Sequence, residues 1–179
     1  MPTSPPSDPM TDSPPPVLTV ADVQLAAQQI AGHAIQTPLL ESPLLNERLG
    51  GRLLVKAECL QLGGAFKFRG AYNRISRLDE AERKAGVVAF SSGNHAQGDA
   101  LAAQMLGVPA TIVIPPDAPE IKLANTRAYG ADVVLYDREK ENRADIARAL
   151  AADKGAILVP SYDDPFIIAG QGTVGLELA

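Results

Sequence analysis

Lys67 lies between two phenylalanines, Phe66 and Phe68, in the segment GAFKFRG, and Arg69 follows two positions later. A lysine held in partly apolar surroundings near another cation has a lowered pKa. Its neutral amine can attack a carbonyl carbon and form a Schiff base. The alternative is a solvated lysine at the edge of a helix, as most lysines are. Residue type and spacing alone leave both interpretations open.

A second polar group, Ser91, Ser92, Gly93, Asn94 and His95, lies between a predicted strand and a predicted helix. Backbone N–H groups and the positive end of the helix dipole meet there, which favours binding of a carboxylate or a phosphate. Alternatively, Ser92 or Asn94 only caps the helix, and His95 is a packed, hydrogen-bonded residue. The glycines here do not have the G-x-G-x-x-G spacing, so a nicotinamide enzyme gains no support.

Four short β-rich runs must position these residues. They begin 21 to 25 residues apart, a helix-like segment fills each gap, and they cover 87–91, 110–115, 131–137 and 156–161. Strand–helix–strand units of this spacing form parallel sheets, so we expect an α/β fold, an open parallel sheet with helices on both faces. The apolar character of the strands predicts burial on both sides. Ligands bind beyond the carboxyl ends of such strands.

The N-terminal part of the chain is predicted to add two helices and one strand. A capping-box pattern begins a helix at about 21–31, and a serine–proline pair begins another at 44–49. The run 52–58 predicts a strand. Seven of the 15 prolines lie in residues 1–18, so we expect this segment to be a disordered leader.

Composition excludes several classes of function. The 16 lysines and arginines against 21 aspartates and glutamates give a net charge of −5, which argues against nucleic acid as a partner. No apolar run approaches the ~20 residues of a membrane-spanning helix, so no membrane partner is expected. A single cysteine, Cys59, and two histidines indicate neither a metal site nor an intrachain disulfide. We expect a small-molecule partner and a cytoplasmic location.

The segments GAFKFRGAYN, SSGNHAQG, IVIPPDAPEIK, AYGADVVLYD and IIAGQGTVGLEL together resemble the serine/threonine dehydratase family of pyridoxal-phosphate enzymes of fold type II. This family also includes serine racemase and the hydroxyaspartate ammonia-lyases, and the resemblance covers roughly residues 35–179. It implies that Lys67 forms a Schiff base with pyridoxal 5′-phosphate, that Phe66 packs near the cofactor ring and that Asn94 hydrogen-bonds the 3′-oxygen. It also implies that the loop Ser91–His95 binds the substrate carboxylate.

The implied reaction is β-elimination from a hydroxy amino acid such as L-serine or L-threonine. Lys67 removes the Cα proton while the cofactor acts as electron sink, and loss of the β-hydroxyl leads to a 2-oxo acid and ammonia. Ser92 leaves racemisation open as an alternative, because racemases of the family carry a serine here as acid/base on the opposite face of the cofactor. A helix-capping serine would look the same, and we expect dehydration rather than racemisation.

The chain departs from the family pattern in two ways. Ala65 replaces the usual serine before Phe-Lys, which affects the fine tuning of the site. The family's glycine-rich phosphate cup and its partner for the pyridine nitrogen follow the GQGT helix, beyond Ala179. We therefore expect a truncated chain: part of the large domain at 19–64, the small domain at 65–155 and the start of the second half of the large domain at 156–179. A homo-oligomer is expected at full length, and the alternative for this chain alone is an inert fragment.

Overall fold

The computed structural model describes residues 18–179, so the predicted leader lies outside the described residues apart from Leu18. The described chain contains eight α-helices and six β-strands. The helices are α1 (Val20–Ile30), α2 (Pro43–Leu49), α3 (Lys67–Ile75), α4 (Glu80–Ala85), α5 (Asn94–Leu106), α6 (Glu120–Ala128), α7 (Arg143–Lys154) and α8 (Pro165–Leu176). The strands are β1 (Leu39–Glu41), β2 (Leu54–Lys56), β3 (Val87–Phe90), β4 (Ala110–Ile114), β5 (Asp132–Leu135) and β6 (Ile157–Leu158).

Four of the strands form a parallel sheet in the order β5-β4-β3-β6. Successive side chains of a strand point to opposite faces of its sheet. Val87 and Ala89 of β3 accordingly join the apolar cluster that contains α5, whereas Val88 packs with Ala147 and Ala151 of α7. The predicted α/β fold, a parallel sheet with helices on both faces, is confirmed.

The central and edge strands differ in burial. β3 and β4 are almost completely buried, as predicted. The prediction of burial on both sides is wrong for β5, in which Asp132 and Leu135 are exposed, and for β6, which is half-buried. Both strands lie at sheet edges, where only one side has a neighbouring strand. β6 is also shorter than the predicted run 156–161, because it pairs only with Val87 and Val88.

The two predicted N-terminal helices are present with the expected caps. Thr19 and Asp22 form a capping box at the start of α1, and Ser42 caps α2 ahead of Pro43. The predicted strand at 52–58 is shorter in the structure, since β2 pairs antiparallel with the three-residue strand β1. The sequence did not predict β1.

The segment after residue 155 contributes to the same sheet as the segment before it, because β6 pairs with β3. Beside the sheet, α8 packs against α3 and α1. The proposed division of the chain at 64 and 155 stays a prediction, although the sheet itself extends to Leu158. Within residues 18–179, no helix has both the length and the apolar content needed to cross a bilayer.

Candidate active site

Lys67 is the first residue of α3, and its side chain is half-buried. The chain enters this helix through a tight turn in which Gly63 and Gly64 have φ angles of 69° and 73°, a region that glycine adopts without steric cost. The Lys67 Nζ donates a hydrogen bond to the carbonyl oxygen of Ser161 at 2.8 Å and another to Gln171 Oε1 at 3.3 Å. Two neutral acceptors therefore hold the amine just beyond the carboxyl end of β6.

Glycines allow the neighbouring helices to approach α3 closely. A Cβ on Gly98 of α5 would lie 3.2 Å from the carbonyl carbon of Lys67, and a Cβ on Gly170 of α8 would lie 2.6 Å from the carbonyl oxygen of Arg69. A side chain at Gly170 would overlap the backbone of α3, whereas one at Gly98 would make an unusually tight contact that the α3 backbone would have to yield to by a few tenths of an ångström. The close approach of α8 brings Gln171 into contact with Lys67.

The environment of the Lys67 amine is partly apolar, which agrees with the first of the two interpretations that the sequence left open. The ring centroid of Phe66 lies 5.2 Å from Nζ. Burial lowers the pKa of Lys67, and the negative charge of Asp99 acts in the opposite direction. A lowered pKa increases the fraction of neutral amine, which is the form that attacks a carbonyl. This geometry excludes the alternative of a fully solvated lysine.

The loop Ser91–His95 connects β3 to α5. The N-cap of α5 is Gly93, and no side chain caps this end of the helix. The alternative that Ser92 or Asn94 caps α5 is therefore wrong. The Ser91 Oγ instead accepts a hydrogen bond from the Gly93 N–H at 3.1 Å. The backbone donors of the first turn of α5 have no side-chain cap to compete with an anion.

Asn94 is exposed at the start of α5, and its Oδ1 accepts a hydrogen bond from Lys122 Nζ of α6. The same ammonium group lies 3.4 Å from the point where a Cβ on Gly93 would stand. Lys122 thus adds a positive charge beside the loop, next to the positive end of the helix dipole. Both features favour a negatively charged ligand at this position.

His95 is the one loop residue whose side chain is buried, with 2% of its surface exposed. Its Nε2 lies 2.9 Å from Asp99 Oδ2 and 3.3 Å from the carbonyl oxygen of Val159. Burial raises the pKa of Asp99, an effect that nearby His95 and Lys67 oppose. This geometry agrees with the interpretation of His95 as a packed residue. A contact between His95 and the substrate stays a prediction.

Sequence reasoning did not identify Gln171, Lys122 or Asp99. The contact of Gln171 with Lys67 spans 104 positions and depends on helix packing. Lys122 follows β4, whose carboxyl end was predicted to face a ligand. Asp99 stands four residues after His95 on one helix, a spacing that brings two side chains together and was available in the sequence.

Two of these residues fit pyridoxal phosphate: Lys67 offers an amine for its aldehyde, and the half-exposed Phe66 offers an apolar surface for its ring. The loop at α5 offers donors for an anionic group of a ligand. Among the described residues, no group of three or more His, Cys, Asp or Glu side chains is arranged to hold a metal ion.

Comparison with known proteins leads to the same chemistry. Residues 30–179 match the family described as pyridoxal-phosphate dependent enzyme. L-threo-3-hydroxyaspartate ammonia-lyase of Pseudomonas sp is 57% identical over 157 residues, which are 88% of this chain and 49% of that protein. Serine racemase of Schizosaccharomyces pombe is 48% identical over 160 residues, which are 89% of this chain and 50% of that protein.

A solved structure, that of maize serine racemase, superposes with a TM-score of 0.86 at 40% identity. The match covers 90% of this chain and 49% of that one. The chain spans about half the length of the curated relatives it matches. The predicted family resemblance and the predicted fold type are confirmed.

Proposed function

Because the chain belongs to the family of pyridoxal-phosphate dependent enzymes, we propose that Lys67 forms a Schiff base with this cofactor and that the whole protein releases ammonia from a hydroxy amino acid. The observation that carries the proposal is the amine of Lys67. It is half-buried, it is held by two neutral acceptors, and burial lowers its pKa. The ammonia-lyase and racemase names of the relatives support the same chemistry.

Each part of the site has a role in β-elimination. When bound, pyridoxal phosphate supplies an electron sink for the charge that develops at Cα. Lys67, as a free amine, takes the Cα proton. The N–H groups of the loop Ser91–His95 bind the substrate carboxylate and so orient the Cα–H bond towards Lys67. Departure of the β-hydroxyl then leads to a 2-oxo acid and ammonia.

The substrate is L-serine, L-threonine or a similar hydroxy amino acid. The ammonium group of Lys122 adds positive charge beside the loop. This charge favours a hydroxy amino acid with a second carboxylate as a further candidate substrate. L-threo-3-hydroxyaspartate is such a compound, and it appears in the name of a relative that is 57% identical. These three amino acids define the substrate panel.

Racemisation is a second candidate, and Ser92 is the observation that favours it. Its side chain is half-buried and does not cap α5, so its hydroxyl is available as an acid or base. In a racemase, a second group must deliver a proton to the face of Cα opposite Lys67. Ser92→Ala separates the two reactions, since it should abolish formation of the D-amino acid and spare the elimination.

The test uses the full-length protein loaded with pyridoxal phosphate. Ammonia, 2-oxo acid and D-amino acid are measured with L-serine, L-threonine and L-threo-3-hydroxyaspartate. Lys67→Ala should reduce ammonia release by about 100-fold or more. The exposed Lys140 supplies the control, and Lys140→Ala should leave the rate unchanged. Full activity in Lys67→Ala would refute the assignment of the lysine.

A further inference from the structure

The carboxylate of Asp99 is completely buried, yet no N–H or O–H among residues 18–179 is aligned on either of its oxygens. The Nδ1 of His95 likewise has no partner. Buried polar groups are normally hydrogen-bonded, and leaving a charged one without partners costs free energy. Most of the other buried residues of α5 have no polar side chain that could pair with Asp99; they are Ala96, Gly98, Ala100, Ala102 and Ala103.

The orientation of His95 indicates how the charge of Asp99 is balanced. The Nε2 of His95 faces two oxygens, Asp99 Oδ2 at 2.9 Å and the Val159 carbonyl at 3.3 Å. A nitrogen between two acceptors carries a hydrogen. The Nδ1 of His95 is buried without an acceptor. His95 thus orients the Asp99 carboxylate through Nε2, but the carboxylate still lacks a full set of hydrogen-bond partners within the described residues.

Lys67 is the first residue of α3, the helix that packs against α5. Gly98 precedes Asp99, and a Cβ on Gly98 would lie 3.1 Å from the Phe68 nitrogen and 3.2 Å from the Lys67 carbonyl carbon. Asp99 is therefore next to the closest contact between α5 and the start of α3. His95 and Lys67 oppose the rise in the pKa of Asp99 that burial causes, and Asp99 opposes the fall in the pKa of Lys67 that burial causes.

We propose that Asp99 is a positioning residue for Lys67: its buried carboxylate is the counter-charge of the Lys67 ammonium across the α3–α5 contact, and His95 orients it. The inference rests on the proposed role of Lys67 in the reaction. Asp99 acts from behind the lysine and touches neither substrate nor cofactor. Its charge sets how readily the amine gives up its proton, and hence the pH range in which Lys67 works as nucleophile and base.

The test measures the reactivity of Lys67 without cofactor or substrate. The full chain is treated with a trace of acetic anhydride over a range of pH, and acetylation of the Lys67 peptide is quantified by mass spectrometry. Asp99→Asn keeps the shape of the side chain and removes its charge. Its Lys67 should react at lower pH than in the wild type, with roughly threefold or greater acceleration at neutral pH. An unchanged profile would overturn the proposal.

Asp145→Asn is the matched control, because Asp145 is exposed and pairs with Arg148; its Lys67 profile should equal that of the wild type. A second measurement needs no variant. In wild-type protein with ¹³C-labelled lysine and aspartate, the Asp99 Cγ signal should show, besides its own titration, a second and smaller inflection at the midpoint of the Lys67 Cε titration, because each coupled group responds to the charge of the other. Independent titrations would overturn the proposal. Neither readout requires turnover. The role of Asp99 can therefore be refuted while the proposed reaction stands, and the proposed reaction can be refuted while the coupling of Asp99 to Lys67 stands.

Discussion

Two clusters of charged residues lie at α3, the helix that carries Lys67. They differ in how many hydrogen-bond partners the buried charged group has. Arg69, with 1% of its surface exposed, lies between the carboxylates of Glu58 and Glu177. Its guanidinium donates hydrogen bonds to both of them, to the Thr173 hydroxyl and to the carbonyl oxygen of Ile35. On the other side of the helix, Asp99 and His95 lack this complement of partners.

The two clusters also respond to burial differently. Burial alone would lower the pKa of Arg69, but its hydrogen bonds with Glu58 and Glu177 raise it. Burial raises the pKa of Asp99, and the opposing effects of His95 and Lys67 are smaller. A buried charge with a full set of partners fixes structure, whereas one without them costs stability. The Arg69 cluster therefore joins the N-terminal segment to α3 and α8, whereas the Asp99 cluster is the one that we propose positions Lys67.

Substitution of the central residue in each cluster should give the largest difference between them. Arg69→Met removes the shared partner of two half-buried carboxylates, of which Glu177 keeps only Lys56 and Glu58 only Thr37, and we expect a loss of about 3–5 kcal/mol in the free energy of unfolding. Asp99→Asn removes a buried charge that lacks hydrogen-bond partners, so its free energy of unfolding should equal or exceed that of the wild type. Urea unfolding followed by circular dichroism measures both.

The exposed pair Arg52–Glu41, with 74% and 31% of the side-chain surfaces exposed, is the control for the loss of an arginine ion pair. Arg52→Met should change stability little, because surface pairs contribute little. A large loss in Asp99→Asn together with a small loss in Arg69→Met would reverse the comparison.

A smaller effect should appear in the pH dependence of stability. The hydrogen bonds from Arg69 and Lys56 outweigh burial and lower the pKa of Glu177 below its ordinary 4.5. Its stabilisation is therefore present above pH 4.5 and is lost as the pH falls through the lowered pKa. The pKa of Asp99 is raised above its ordinary 3.8. Its contribution is therefore most favourable below pH 3.8 and is lost as the pH rises through the raised pKa.

The two variants should thus differ from the wild type in opposite pH ranges. The gain in Asp99→Asn should grow as the pH rises from about 4. The loss in Arg69→Met should shrink as the pH falls below about 4. Free energies of unfolding from about pH 3 to about pH 7 provide the comparison. Curves that run parallel to the wild type in both variants would show that neither carboxylate has the assigned pKa direction.

Features that depend on local sequence were predicted well. The spacing of the apolar runs predicted the parallel sheet, and the capping residues predicted α1 and α2. In each case residues close in sequence determine the outcome, through backbone hydrogen bonds or adjacent side chains.

Features that depend on packing between distant segments were not predicted. The contact of Lys67 with Gln171 requires α3 and α8 to meet at Gly170, and no local pattern reports that approach. The exposure of β5 depends on strand order, since an apolar run looks the same at the centre and at the edge of a sheet. Whether the Asp99 carboxylate has hydrogen-bond partners depends on all the segments that pack around α5, and these are distant in sequence.

The central claim is that Lys67 is the lysine that bonds pyridoxal phosphate, and reductive trapping tests it most directly. The protein is mixed with pyridoxal phosphate, reduced with borohydride, digested and mapped by mass spectrometry. The account predicts a pyridoxyl group on the Lys67 peptide, together with a visible Schiff-base absorbance before reduction that Lys67→Ala lacks. A label distributed over exposed lysines, with the same absorbance in Lys67→Ala, would contradict it.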